Sequence, residues 1–173
     1  MYFKIGIVTE YISEAIALMF LASFIYNIRK RSDNTSVCIT SAVLAVSYML
    51  TTFGYDFINS LSNPAKTLEV YLLWMKFDAV TIISLFLLHI IFRVNQSNQA
   101  VVIYRILAVS MSLQVAMHID INILSNLKYW FLWTIYSYGV NALDIMMVVT
   151  LFMKRSWSEV FNHWKCYFSF SSG

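Results

Sequence analysis

Ionisable side chains stand inside stretches of sequence that are otherwise mainly apolar, among them Glu10, Glu14, Asp56, Glu69, Lys76, Asp78, His118, Asp120 and Asp144. Carboxylates in such surroundings can hold a proton or a small cation, and a lysine or histidine among them can neutralise one or relay a proton. Their spacing says which can act together. Glu10 and Glu14 are four apart and share a helical face. Ser110, Gln114, His118 and Asn122 form one stripe at four-residue intervals, Ser137, Asn141 and Asp144 form another, and Asp78, Thr81 and Ser84 align. Lys76 is two residues from Asp78, about 200° around a helix, so the two cannot meet the same neighbour. These stripes predict an intramembrane polar cluster of Glu10, Glu14, Asp56, Lys76, Asp78, Gln114, His118, Asp120, Asn141 and Asp144, with Glu10, Glu14, Asp78 and His118 at its centre. A plainer account competes with it. Intramembrane polar pairs also hold helices together, at about 0.6 kcal/mol each, and crowding among carboxylates favours protonation, which removes the cost of burial without any function.

Other chemistries find no support in the residues. His89 and His118 fall at opposite ends of their spans and cannot flank one haem, while His163 lies outside the spans. There is no HExxH, GxSxG or Gly-rich phosphate loop, no third span-borne histidine for zinc, and no Arg-rich span of the voltage-sensor kind. Five spans do not make the seven-helix bundle of a retinal protein. The sequence predicts no enzyme, no cofactor and no metal. Cys38 and Cys166 carry no CxxC spacing and fall on the side assigned below to the cytoplasm, so no structural disulfide is expected.

The elements that must position these side chains follow from composition. The chain has 173 residues, 60% hydrophobic and 12% charged, with mean hydropathy +0.67. Soluble domains carry roughly 25% charged residues, so the solvent that suits this chain is lipid. A helix needs about 20 mainly apolar residues to cross a bilayer, and five stretches qualify, near 5–28, 37–59, 68–92, 100–124 and 129–152. The fold expected is therefore all-α, a polytopic transmembrane helical bundle over 1–153, followed by a tail over 154–173. The connections RKRSDNTS, SLSNPAK, RVNQSNQ and SNLK are short, polar and rich in turn and cap residues. The first apolar stretch contains Glu10 and Glu14 and runs on to Ile28, which reads as a retained span rather than a cleaved signal peptide. The only proline, Pro64, is in a connection, so the helices should run unbroken.

Lysine and arginine set the orientation. Arg29, Lys30, Arg31, Arg93, Arg105, Lys154, Arg155 and Lys165 fall toward one side, and Lys4, Lys66 and Lys128 toward the other. The richer side is expected in the cytoplasm, which places the N-terminus outside and the C-terminus inside, in a cell membrane (the inner membrane if the source is bacterial). Tyr55, Tyr71, Trp74, Tyr129, Trp130 and Trp133 then mark the outer interface, and Tyr26, Tyr104 and Trp157 the inner one.

Magnitudes decide how the third span must be placed. Its roughly fifteen Leu, Ile, Phe and Val residues return about 6 kcal/mol on the insertion scale, and Lys76 with Asp78 takes back nearly all of it. Alone this helix is marginal, so its charges are expected to face protein or water. In the tail, Trp157, Phe161, Trp164 and Phe168 recur at helical spacing, with Glu159 and Lys165 off that face. That pattern suits an interfacial amphipathic helix or a docking surface for a cytoplasmic protein.

Two functional readings follow. The first is a non-enzymatic membrane subunit, a sensor or assembly partner, with an acidic outward-facing polar interior; it is expected to be homo-oligomeric, to contact the lipid bilayer and a cytoplasmic partner, and to bind no nucleic acid. The alternative is an oligomeric cation or proton channel or transporter that uses the buried carboxylates. Against a transporter, the chain shows neither internal repeat nor Gly/Pro-broken helices.

Overall fold

A computed structural model describes residues 2–29, 35–61, 70–126, 128 and 130–153; side-chain surroundings are described from Ile12 in the first helix and as far as Thr52 in the second. The described residues form helices and their connections, with no strand. They are α1 (Tyr2–Arg29), α2 (Thr35–Leu61), α3 (Val70–Ile91), α4 (Asn98–His118), a π-helical turn (Ile119–Ile123) and α5 (Phe131–Phe152). All five long helices are apolar and long enough to cross a membrane, as a multi-pass membrane protein requires, and they coincide with the five spans expected from the sequence to within a few residues. The tail residues Trp157, Phe161, Trp164 and Phe168 lie outside the described residues.

Short connections make consecutive helices neighbours. α1 packs on α2, α2 on α3, α3 on α4 and α4 on α5; α5 returns to α1, and α2 reaches across to α4. The ring closes most visibly where Asn27 Nδ2 donates to the Leu151 carbonyl at 3.3 Å and Tyr26 meets Phe152 with ring centroids 5.5 Å apart. The end of the bundle carrying Arg29, Arg93 and Phe152 is called the Arg93 end below, and the opposite one the Trp130 end.

Among the described residues the apolar core occupies one half of the bundle. Ile16 and Phe20 of α1, Val37, Leu44 and Ala45 of α2, Leu85 of α3, Ile103, Ile106 and Leu107 of α4, and Met147, Val148 and Leu151 of α5 form a single cluster. Each lies in the half of its helix nearer the Arg93 end. Leu18, Val80, Ile83 and Ile90 point outward, the face that lipid would cover.

Both ends of α4 are fastened by side chains. At the Arg93 end, Arg93 adopts a left-handed conformation (φ 53°), and Val94 N–H returns to the His89 carbonyl while Arg93 N–H returns to that of Ile90, closing α3 in a Schellman-type turn. Ser97 then caps α4, its hydroxyl accepting from Ala100 N–H at 3.2 Å. At the Trp130 end the helix runs unbroken to Ile123, as the absence of proline predicted, but not in α form throughout. Its last turn widens to π geometry, with Leu124 N–H on the Ile119 carbonyl at 3.0 Å. The side chain of Asp120 goes with this change: it is 3% exposed and accepts from Asn126 Nδ2 at 3.0 Å and Trp130 Nε1 at 2.8 Å. Local hydrogen bonds to the next connection, which a search for helix breakers does not register, set this ending.

Candidate functional site

Above the apolar core, at mid-height, polar side chains join four helices. Asp78 of α3 accepts through Oδ2 from Ser110 Oγ at 3.0 Å and from Gln114 Nε2 at 2.9 Å, both on α4. Gln114 Nε2 also reaches Ser110 Oγ at 3.3 Å, which closes a three-membered ring of contacts. The Tyr48 hydroxyl of α2 donates to Asp144 Oδ1 of α5. Ser47 of α2 meets Thr81 of α3 at 2.6 Å, oxygen to oxygen, and Thr81 Oγ1 also donates to the Phe77 carbonyl. Asp78 lies within electrostatic range of Asp144, Tyr48 and Tyr136. Tyr136 in turn stacks edge-on against Tyr71, with centroids 5.3 Å apart, on the Trp130 side of the belt.

The belt exists because polar side chains recur at helical intervals on each strip of helix that faces the interior. Ser110 and Gln114, four apart, are both 4% exposed and present their donors to one acceptor. Thr81 lies three residues after Asp78, so α3 offers Asp78 to α4 and Thr81 to α2 from the same broad face. A charge or dipole this deep in an apolar medium is tolerated only when hydrogen-bonded. The donors to both carboxylates are neutral hydroxyls and an amide.

That composition allows two protonation states of Asp78. As a carboxylate it accepts from Gln114 Nε2. As an acid it has a proton to give, and Gln114 Oε1 is buried without a hydrogen-bond donor among the described residues. Turning the amide end for end would set Oε1 toward Asp78 and satisfy the acid form equally well. Ser110 can likewise donate or accept. The site can therefore take up a proton, or surround a small cation with oxygen atoms, by rotating side chains rather than moving helices.

The residues picked out from the sequence fall into three groups. Asp78, Gln114 and Asp144 are in the belt. His118, Asp120 and Asn141 make local bonds instead: His118 Nδ1 with Asn122 Nδ2 one turn on, Asp120 with the connection to α5, and Asn141 Nδ2 with the Ser137 carbonyl at 2.7 Å. Glu14 and Lys76 are exposed on the outside of the bundle and the structure does not bring them into the belt. Glu10 and Asp56 occupy α1 and α2, and their side-chain surroundings lie outside the described residues. Among the described residues, three histidine, cysteine or carboxylate side chains nowhere gather as they would around a metal ion.

Two features escaped the sequence reading. Tyr48 was one, although a signal existed: tyrosines of membrane helices favour the interfaces, and Tyr48 stands near mid-span. The second is a buried clamp at the Arg93 end. Ser36 Oγ of α2 sits 2.8 Å from His89 Nε2 of α3 and 3.2 Å from Ser97 Oγ, and it accepts from Ser97 N–H at 3.0 Å. His89 Nδ1 lies 2.7 Å from the Leu85 carbonyl, so this nitrogen carries a proton. Here α2, α3 and the start of α4 are locked together.

No family model matches the chain, and neither a curated protein nor a solved structure is similar to it. The residues themselves are the basis for a functional reading.

Proposed function

We propose that this chain is a non-enzymatic integral membrane subunit, a sensor or assembly partner, whose polar belt responds to a proton or small cation. One observation carries the reading: Asp78 and Asp144 are held at mid-height by neutral donors, with a packed apolar core between them and the Arg93 end. Among the described residues that core separates the belt from the Arg93 end, and the buried hydroxyls of Ser23, Thr40, Ser41 and Thr150 beside it bond to their own helix backbones, which suits reception better than conduction. Intramembrane ionisable groups are functional sites by default. In this reading the Trp130 end faces outward and the Arg93 end the cytoplasm, as the lysine and arginine distribution favours. The chain works as a homo-oligomer, and the tail 154–173, with Trp157, Phe161, Trp164 and Phe168, engages the inner membrane surface or a cytoplasmic protein.

The second reading is an oligomeric proton or cation channel or transporter. It is favoured by the same neutral coordination, since an uncompensated carboxylate attracts cations. Reconstitution in liposomes separates the two. Proton or cation flux that is lost in both Asp78→Asn and Asp144→Asn establishes transport and overturns the subunit reading. Absence of flux, with a cytoplasmic protein co-purifying only when residues 154–173 are present, supports the subunit reading.

A further inference from the structure

Two opposite charges on the outside of the bundle, away from the Arg93 end, match. Glu14 of α1 and Lys76 of α3 are both exposed, and neither has a polar partner among the described residues. Each heads an outward apolar stripe at helical spacing: Glu14 is followed by Leu18 and Ile25, Lys76 by Val80, Ile83 and Ile90, all exposed. They also stand at the same height. Glu14 is 15 residues before Arg29, where α1 ends, and Lys76 is 15 before Ile91, where α3 ends, both at the Arg93 end. At 1.5 Å per residue both lie about 22 Å from that end, which is well inside a hydrocarbon core about 30 Å thick.

Neither charge can be satisfied by the other within one bundle, because α2 packs between α1 and α3. Lys76 cannot turn to the belt either, since Asp78 lies about 200° around the same helix. Lysine can reach toward headgroups by extending its long stem, but a glutamate has a much shorter one.

We propose that Glu14 of one copy pairs with Lys76 of a second copy, α1 against α3, in a head-to-tail interface within the membrane. Opposite charge, equal height and two apolar stripes continuing toward the same end make the surfaces complementary along their length. A contact between two different faces of the same chain is heterologous, and it closes into a ring when the rotation between copies permits. This deepens the oligomeric part of the reading above and rests on it. The belt and its response to a proton or cation do not depend on it.

The test uses the full chain in lipid, with Cys38→Ser and Cys166→Ser as background and two differently tagged copies. Glu14→Cys in one copy and Lys76→Cys in the other should cross-link with a short thiol reagent, whereas Glu14→Cys in both copies should not. Separately, Glu14→Lys or Lys76→Glu should each weaken self-association about tenfold, the upper range for polar contacts between membrane helices, and both changes in one chain should restore it. A monomer at every protein-to-lipid ratio, a cross-link only between like positions, or reversed variants that associate as well as the starting chain would each overturn the proposal. Should the reversed variants fail to insert, the neutral cysteine variants decide alone: a Glu14–Lys76 cross-link supports the interface and its absence refutes it. Flux and tail-dependent co-purification are read on other residues, so a failure here is separable from a failure of the functional reading.

Discussion

Toward the Arg93 end, Phe20, Leu44, Leu85 and Met147 meet with no exposed surface, and a serine–histidine–serine clamp ties three helices just beyond them. Toward the Trp130 end α3, α4 and α5 behave differently. Among the described residues α3 buries nothing from 71 to 80 and α5 nothing from 131 to 146, while α4 buries Ser110, Gln114 and Asp120 alongside Met117 and Ile121. The Arg93 half combines close packing, which acts equally well in lipid and in protein interiors, with the clamp. The described parts of α3, α4 and α5 toward the Trp130 end bury few apolar side chains and are organised mainly by a few directional bonds, each of modest net worth but costly to leave unmade. The difference teaches where a function that needs rearrangement can reside. Polar groups with interchangeable partners can change state in place, whereas a packed core has a single arrangement.

This contrast can be broken from either side. The largest effect is expected in the core: Phe20→Ala should lower stability by roughly 3–5 kcal/mol, read as unfolding in detergent, while Val80→Ala on the outer face should change it little. If the two substitutions cost the same, the packed half is not where stability resides. Next comes Asp78→Leu, which strands the Ser110 hydroxyl and the Gln114 amide and should cost about 1–3 kcal/mol. Asp78→Asn keeps an acceptor oxygen and should recover most of that loss while removing the response of Asp78 itself to a proton or cation. Ser36→Ala removes the hydroxyl shared by His89 and Ser97 and should cost about 1 kcal/mol, with faster amide exchange in 92–97. Tyr48→Phe should be milder, about 0.6 kcal/mol by the average for such contacts in membranes, and should leave the core unaffected. The smallest global effect belongs to Asp120→Ala. It should leave the unfolding transition nearly unchanged yet speed tryptic cleavage after Lys128, because Asp120 holds the connection to α5 rather than the bundle.

Part of the belt was legible because helical spacing survives folding. The stripe through Ser110, Gln114, His118 and Asn122 was visible as an interval of four, and its first two members do face the interior. Spacing alone could not say which helix each stripe would meet. Ser110 and Gln114 met Asp78, but His118 and Asn122 met each other. Nor could residue type say which charges turn inward, since Glu14 and Asp78 are equally unwelcome to lipid when alone.

Composition and hydropathy by themselves determined that the chain forms five apolar helices joined by short connections, because the need to satisfy every backbone group in lipid leaves helices as the form such segments take. The order of the charges along them also followed, and with it the demand for partners. Only the tertiary structure decided the pairings: Tyr48 with Asp144, Asp78 with Ser110 and Gln114, Ser36 with His89, and Glu14 and Lys76 left facing outward. The physical reason is that a hydrogen bond between helices depends on their relative rotation and height to within about an ångström, and those are set by how the whole ring of helices packs rather than by any one of them.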